Sequence, residues 1–294
     1  MPQPANAARL PDAEYPLDRR RFLAAGTALA VGSQWPLSAI TAADPAGSRR
    51  PRVAAIFTEF RFRSHAWNIL ENFLRPYFFN GELVDPGVDV VSFYADQFPE
   101  GEVGRSAAER YEIPLFDSID EALCVGGKEL AVDAVLAIGE HGEYPTNQRH
   151  QKQYPRKEFF DQALAVMRRS GRYVPYFNDK HLSWRFDWAR EMYDAAREHG
   201  FPLFGGSSVP YAQRRPDFEL PPNAVIEEAV SIHGGELESY DIHGIEVLQA
   251  IVEKRRGGET GVASVQYLSG EALRETEKQG LWSRQLAEDA LQAE

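Results

Sequence analysis

With 294 residues, 43% of them hydrophobic and 12% aromatic, the chain can bury one large core or two modest ones, which excludes the fibrous and disordered classes. Its formal charge is -12, and beyond residue 50 there are 26 Lys and Arg against 40 Asp and Glu, a surface that repels phosphate backbones, so no nucleic-acid partner is expected. The one cysteine, Cys124, excludes an intrachain disulfide; within Ala122-Leu123-Cys124-Val125 it reads as a buried small hydrophobe rather than a reactive thiol.

Residues 1–50 read as a signal and linker. Asp18-Arg19-Arg20-Arg21-Phe22-Leu23 is followed by a weakly apolar stretch of about ten residues and by Thr41-Ala42-Ala43, small residues at which a peptidase would cut. The segment resembles a twin-arginine export signal. That resemblance implies a periplasmic destination, and passage of a protein already folded around any ligand. The apolar stretch falls short of the roughly 20 residues of a spanning helix, so no stable membrane span is expected. A permanent anchor and a disordered basic tail are the competing readings.

Residues 51–181 alternate between strand and helix patterns. Val53 to Phe57 is a short apolar run of the kind buried on both faces of a parallel sheet, and Ala66, Ile69, Leu70, Phe73 and Tyr77 recur at helical spacing. Arg75-Pro76 ends that helix, and an Asn80-Gly81 turn leads to a strand over 88–94. Asp96 follows it, either as a ribose-binding acid or as a turn former. A helix over 103–111, a strand over 113–116 and a capping box at Ser118 and Glu121 come next. Residues 132–138 form a near-continuous apolar run typical of a central parallel strand. The stretch from Gly139 to Pro155 has no period and holds His141, Glu143, Tyr144 and His150, which makes it a candidate site wall. A helix over 156–169 and a strand over 173–177 complete a Rossmann-like, doubly wound α/β domain with a parallel sheet.

Residues 182–294 change character. Helices are expected over 184–199, 242–256 and 285–294, strands over 201–204, 224–233 and 262–268, and a Pro-rich linker over 210–222. This reads as a smaller, incomplete α+β domain, with a sheet edge that a partner would cover, and hence as a route to a homo-oligomer.

Three stretches resemble the Gfo/Idh/MocA oxidoreductases. They are the strand, turn and helix start that ends in Arg63-Ser64-His65; Asp133 to Ile138 with Asp179-Lys180-His181 where the family has Glu-Lys-Pro; and Tyr240 to Glu246 with His243 followed three residues later by an acid. The resemblance implies an NAD(P)-dependent oxidoreductase acting on a carbohydrate-like small molecule. It assigns Lys180 and His243 as catalytic, with His243 moving the hydroxyl proton, and Thr58, Glu59, Arg61, Asp96, Glu140 and His141 as cofactor contacts. The family's fingerprint glycines would fall at Phe57, Glu59 and Phe62, and none is present. Phenylalanine adds bulk where tight turning is needed, and a Glu59 carboxylate at about 4 Å from a phosphate charge costs roughly 1–4 kcal/mol. NAD(P) binding is therefore expected to be altered or lost. A non-catalytic carbohydrate-binding or scaffold protein is one alternative. Another is a metal-assisted lyase or hydrolase drawing on His243, Glu246, His233, Asp241, His141 and Glu143; no pair has the spacing of a strong metal motif, so no metal ligand is assigned.

Overall fold

In the computed structural model, which describes residues 49–293, the apolar run Val53 to Phe57 is the axis of the sheet. The signal expected at the N-terminus lies outside the described residues. Strand β1 (Arg52–Phe57) alternates its burial between two layers: Val53, Ala55 and Phe57 enter one core, Ala54 and Ile56 the other. A strand buried on both faces needs this uniform apolarity, since neither side meets water.

The chain leaves β1 through a turn capped by Ser64, whose hydroxyl accepts from the Trp67 amide, into α1 (His65–Leu70). This helix is shorter than the 66–77 pattern suggests. The amides of Asn72 and Phe73 bond three residues back, which tightens the last turn, and Pro76 then forbids helix. Tyr77 instead begins a hairpin of β2 (Tyr77–Phe79) and β3 (Glu82–Val84), closed by Asn80 and Gly81, both at positive φ (50° and 83°) as a tight hairpin turn requires.

Five further strands and the helices between them follow: β4 (Asp89–Ala95), α2 (Gly104–Arg110), β5 (Leu115–Phe116), α3 (Ile119–Cys124), β6 (Ala134–Ile138), α4 (Arg156–Arg169), β7 (Tyr176–Asp179), α5 (Phe186–His199) and β8 (Leu203–Gly206). Ser118 caps α3 by accepting from the Glu121 amide, as the capping box predicts. The six-stranded sheet has the order β5-β4-β1-β6-β7-β8 with every pairing parallel. Numbered within the sheet this is 3-2-1-4-5-6, the doubly wound order, with the chain reversing direction between β1 and β6. The crevice at such a reversal, outside the carboxyl ends of the strands, is where this architecture presents ligands.

Beyond β8 the structure departs from expectation. The sheet runs past residue 181, because β8 pairs with β7, and the strands expected over 224–233 and 262–268 are irregular chain. Val225, Val230, Val262, Val265 and Tyr267 are exposed there. Without a neighbouring strand to take their amides and carbonyls, such segments have no reason to extend into a ladder. A separate sheet within residues 182–294 is thus absent among the described residues. Helices α6 (Leu237–Val252), α7 (Glu271–Lys278) and α8 (Arg284–Gln292) make up the rest; α6 starts five residues earlier than its pattern suggests. Among the described residues no helix is long and apolar enough to cross a membrane.

Candidate functional site

The carboxyl ends of β1, β6 and β7 bring titratable side chains from four segments together. Glu140 follows β6, and each of its carboxylate oxygens has its own cation: Oε2 accepts from Arg156 Nη2 and Oε1 from Lys180 Nζ at 3.1 Å. Arg156 opens α4 and is only 1% exposed. It reaches Glu140 because Gly139 has no side chain; a Cβ there would stand 2.8 Å from Arg156 Cγ. Its Nη1 donates to His181 Nε2 at 2.9 Å, so that nitrogen is an acceptor and His181 is neutral. Burial, then Arg156, push the His181 imidazole down to about 3. Desolvation works to raise the Glu140 carboxyl, but the Arg156 and Lys180 charges outweigh it and hold the group below the usual carboxylate range.

On the β1 side, His65 at the start of α1 donates through Nδ1 to Asp179 Oδ2 at 2.6 Å. Asp179 is buried at the end of β7, and the bond fixes the tautomer of His65 and leaves its Nε2 unengaged by that carboxylate. The His65 ring meets that of His141 at 5.2 Å between centroids. Nε2 of His141 is buried without a hydrogen-bond partner, and burial lowers its basicity. His141 and Lys180, following adjacent strands, both hold left-handed backbone conformations (φ 69° and 64°), which side chains other than glycine adopt at a cost on the order of 1–3 kcal/mol and which concentrate at functional sites.

The turn after β1 is filled by its own residues. The Thr58 amide donates to Ile138 O at 3.2 Å, and its hydroxyl to the Glu140 carbonyl. Glu59 is 2% exposed and is held by Arg61 Nε at 2.6 Å. Phe60 packs edge-on against Phe57, Phe93 and Trp67, whereas Phe62 is 64% exposed. Asp96, after β4, accepts from Tyr94 at 2.9 Å and from Tyr144 at 2.6 Å. Burial, with the Asp96 bond second, raises both phenols above their ordinary value. Gln97 clasps Glu143 through both its backbone groups. The loop after β6 is therefore fastened to the end of β4.

Of the residues singled out from the sequence, Lys180, Glu140, His141 and Thr58 converge here, Glu59 and Arg61 pair with each other, and Asp96 faces Tyr144. His243 sits on α6, with Nδ1 3.3 Å from Ser207 Oγ and 3.5 Å from Glu246 Oε2, while Glu246 accepts from the Ser207 amide and hydroxyl. That contact fastens α6 to the end of β8. His233 pairs with Asp241 at 3.4 Å, apart from His141 and Glu143, and among the described residues no group of three His, Cys, Asp or Glu is arranged to hold a metal ion. His65, Asp179, Arg156 and His181 are the members that sequence reasoning did not assign.

An open cleft of about 750 Å³ lies over the ends of β7 and β8 beneath α6, and Tyr154, Lys180, His181, Trp184 and Ile242 line it. A second cavity of about 660 Å³, reaching Glu140 and Arg149, adjoins it across Lys180 and Lys152. Aromatic walls with a few convergent polar groups are the usual make-up of a small-molecule site.

The sequence matches no protein-family model and no curated protein. Among solved structures, biliverdin reductase from Synechocystis sp., crystallised with biliverdin and NADP+, aligns over 53% of this chain and 38% of its own, at 16% identity and a TM-score of 0.34. A Gfo/Idh/MocA family oxidoreductase from Vibrio cholerae aligns over 54% and 39%, at 18% and 0.35. A myo-inositol 2-dehydrogenase from Lactobacillus plantarum aligns over 55% and 37%, at 14% and 0.36. The aligned part is thus about two fifths of each of these proteins, and the doubly wound fold of this chain is defined by its own strand order.

Proposed function

We propose that the chain is an oxidoreductase of the Gfo/Idh/MocA kind, exported, and acting on a carbohydrate or polyol in the cleft above β7 and β8. The observation that carries the reading is Lys180, poised at the end of β7 with its ammonium on Glu140 and its neighbours lining the cleft. An ammonium held there donates to a substrate hydroxyl and favours its alkoxide. The candidate groups to take the proton are His65, oriented by Asp179, and His243 on α6, although neither lines the cleft itself.

NAD(P) in its usual pose requires a turn through which the backbone approaches the pyrophosphate and an acid free for the ribose. Here the Glu59 carboxylate is buried in the turn, and Asp96 already serves two tyrosine hydroxyls. These residues do not fit a pyrophosphate and ribose in that pose, so a nucleotide must be gripped elsewhere along the strand ends. The same filled turn favours a second reading, a carbohydrate-binding protein without redox activity.

Titration calorimetry with NAD+ and NADP+, together with nucleotide absorbance of the purified cytoplasmic precursor, separates the two. Bound nucleotide supports the oxidoreductase; neither heat nor absorbance overturns it and leaves the binding protein. Export is checked by fractionation: replacing Arg19 and Arg20 with lysine is expected to retain the protein in the cytoplasm, and unchanged export of that variant argues against the twin-arginine route.

A further inference from the structure

The interior carboxylates around the cleft are already engaged. Glu140 is held by Arg156 and Lys180, Asp179 by His65, Glu59 by Arg61, Glu246 by Ser207 and Asp241 by His233. Within the inner cluster the three cations Arg61, Arg156 and Lys180 are matched by the three carboxylates Glu59, Glu140 and Asp179. One half-buried cation is left over. Lys152 lines both adjoining cavities beside Lys180, and among the described residues it makes no ion pair; its ammonium stands 5.6 Å from the centroid of the Tyr154 ring. Arg149, exposed at the mouth, also lacks an ion pair among the described residues. The acids lining the same cavity are Glu140, already paired with Arg156 and Lys180, and Glu236, the exposed N-cap residue of α6.

The segment that carries these two cations is built rather than loose. Thr146 and Lys152 form an antiparallel bridge. Inside it Asn147 Oδ1 accepts from the Arg149 amide at 2.9 Å and the Gln151 amide at 3.1 Å, while Asn147 Nδ2 donates to Gln151 Oε1 at 3.0 Å. His150 takes the left-handed conformation (φ 63°) that the turn needs. In a protein of formal charge -12, a preorganised hairpin that turns an unpaired lysine inward and an arginine to the mouth of the same cleft is an arrangement for capturing negative charge.

We infer that the ligand of this cleft is an acidic sugar, with its ring against Tyr154 and Trp184 and its carboxylate or phosphate on Lys152. The inference rests on the proposed carbohydrate reading and narrows its substrate class. A half-buried ammonium that makes no ion pair among the described residues is free to donate a charge-assisted hydrogen bond to an anionic ligand. Lys152 is then a specificity residue: it selects charge, while Lys180 addresses a hydroxyl.

The test is titration calorimetry on the full-length protein with D-glucose, D-gluconate, D-glucuronate and D-glucose 6-phosphate, at low and at raised salt. At least one charged sugar is expected to bind tenfold or more tightly than glucose, with a preference that salt weakens. Lys152→Gln is expected to abolish most of that preference and Lys152→Arg to retain it, while thermal unfolding shows both variants folded. Carboxylate and phosphate arms tell which anion the hairpin takes. Equal affinity for charged and neutral sugars, a preference that survives Lys152→Gln, or no binding of any probe overturns the inference. NAD+ titrated into the same samples keeps the two readings apart: a charged-sugar preference without nucleotide binding retains this inference and removes the oxidoreductase, and nucleotide binding without the preference does the reverse.

Discussion

Replacing Glu140 with glutamine tests the centre of the site most directly, because it keeps the shape and removes the charge that two cations share. Arg156 is 1% exposed and donates to Glu140 Oε2, and Lys180 donates to Oε1 at 3.1 Å. The wild-type triad is a buried ion network whose attraction offsets the desolvation of its members; with the carboxylate gone, the guanidinium stays buried and uncompensated. Removing one partner of such a pair costs about 3–5 kcal/mol. For a domain of this size each kcal/mol moves the midpoint by about 2–4 °C, so Glu140→Gln is expected to unfold roughly 6–20 °C lower, read by circular dichroism on heating. The double variant Glu140→Gln with Arg156→Met removes the orphaned charge along with its partner and is expected to be more stable than the single one, since the penalty belongs to the unpaired group. A fall of less than about 1 kcal/mol in the single variant, or strict additivity in the double, would show that water or other groups already screen Arg156 and that the cluster is not a closed network.

Three further outcomes follow from the same geometry. His181 is an acceptor held neutral, with a folded pKa of about 3 against an ordinary 6.5, so the unfolded chain binds the extra proton between those values; stability is full above pH 6.5 and falls as pH drops toward 3, by about 3 kcal/mol at pH 4.5. His181→Gln keeps an acceptor and is expected to flatten that part of the urea-unfolding profile, whereas an unchanged slope assigns the loss to other groups. Gly139→Val places branched carbons where even a Cβ would meet Arg156 Cγ at 2.8 Å, so it is expected to destabilise by about 1–3 kcal/mol and to displace Arg156, while wild-type stability would show that the arginine has room to yield. Tyr144→Phe removes one hydroxyl from Asp96 and is expected to cost about 1–2 kcal/mol and to raise hydrogen exchange across residues 141–145; unchanged exchange would mean that the Gln97–Glu143 clasp alone fastens the loop.

The sheet is legible in the sequence because strands buried on two faces admit little but apolar residues, and the runs at 53–57 and 132–138 contain almost nothing else. The β7 boundary slips for a local reason. Pro175 has no amide to give, so pairing starts at Tyr176 and runs to Asp179, which puts Asp179 and Lys180 at the strand's edge rather than in a loop beyond it. Lys180 and Glu140 can be found from their places after strands. Arg156 cannot, because a helix-opening arginine reads the same whether it faces solvent or a buried glutamate; only its approach to Gly139 marks it. His65 and Asp179 are 114 positions apart and meet only through the winding of the sheet. The strands expected over 224–233 and 262–268 mislead for the opposite reason: the apolar pattern is present there but the partner strands are not, and pairing rather than propensity makes a strand.

The missing glycines, which make the turn after β1 look like a defect in a nucleotide site, take on a different meaning beside the rest of the crevice. A turn open to a pyrophosphate would leave vacant space after β1 and a free acid after β4. Instead Phe60 is drawn into the aromatic core, Glu59 is buried on Arg61, Asp96 is shared by two tyrosines and the β6 loop is clasped to Gln97. Buried polar groups are tolerated only when each finds a partner, so these substitutions support one another. The consequence is positional. With the β1–β4 end of the strand edge filled by the chain itself, the open volume lies over β7 and β8, where Lys180, Lys152 and the aromatic walls face it. Gly205 belongs to the same arrangement: a Cβ there would stand 2.9 Å from Leu182 Cδ2, so a bare backbone at the end of β8 is what lets that wall pack.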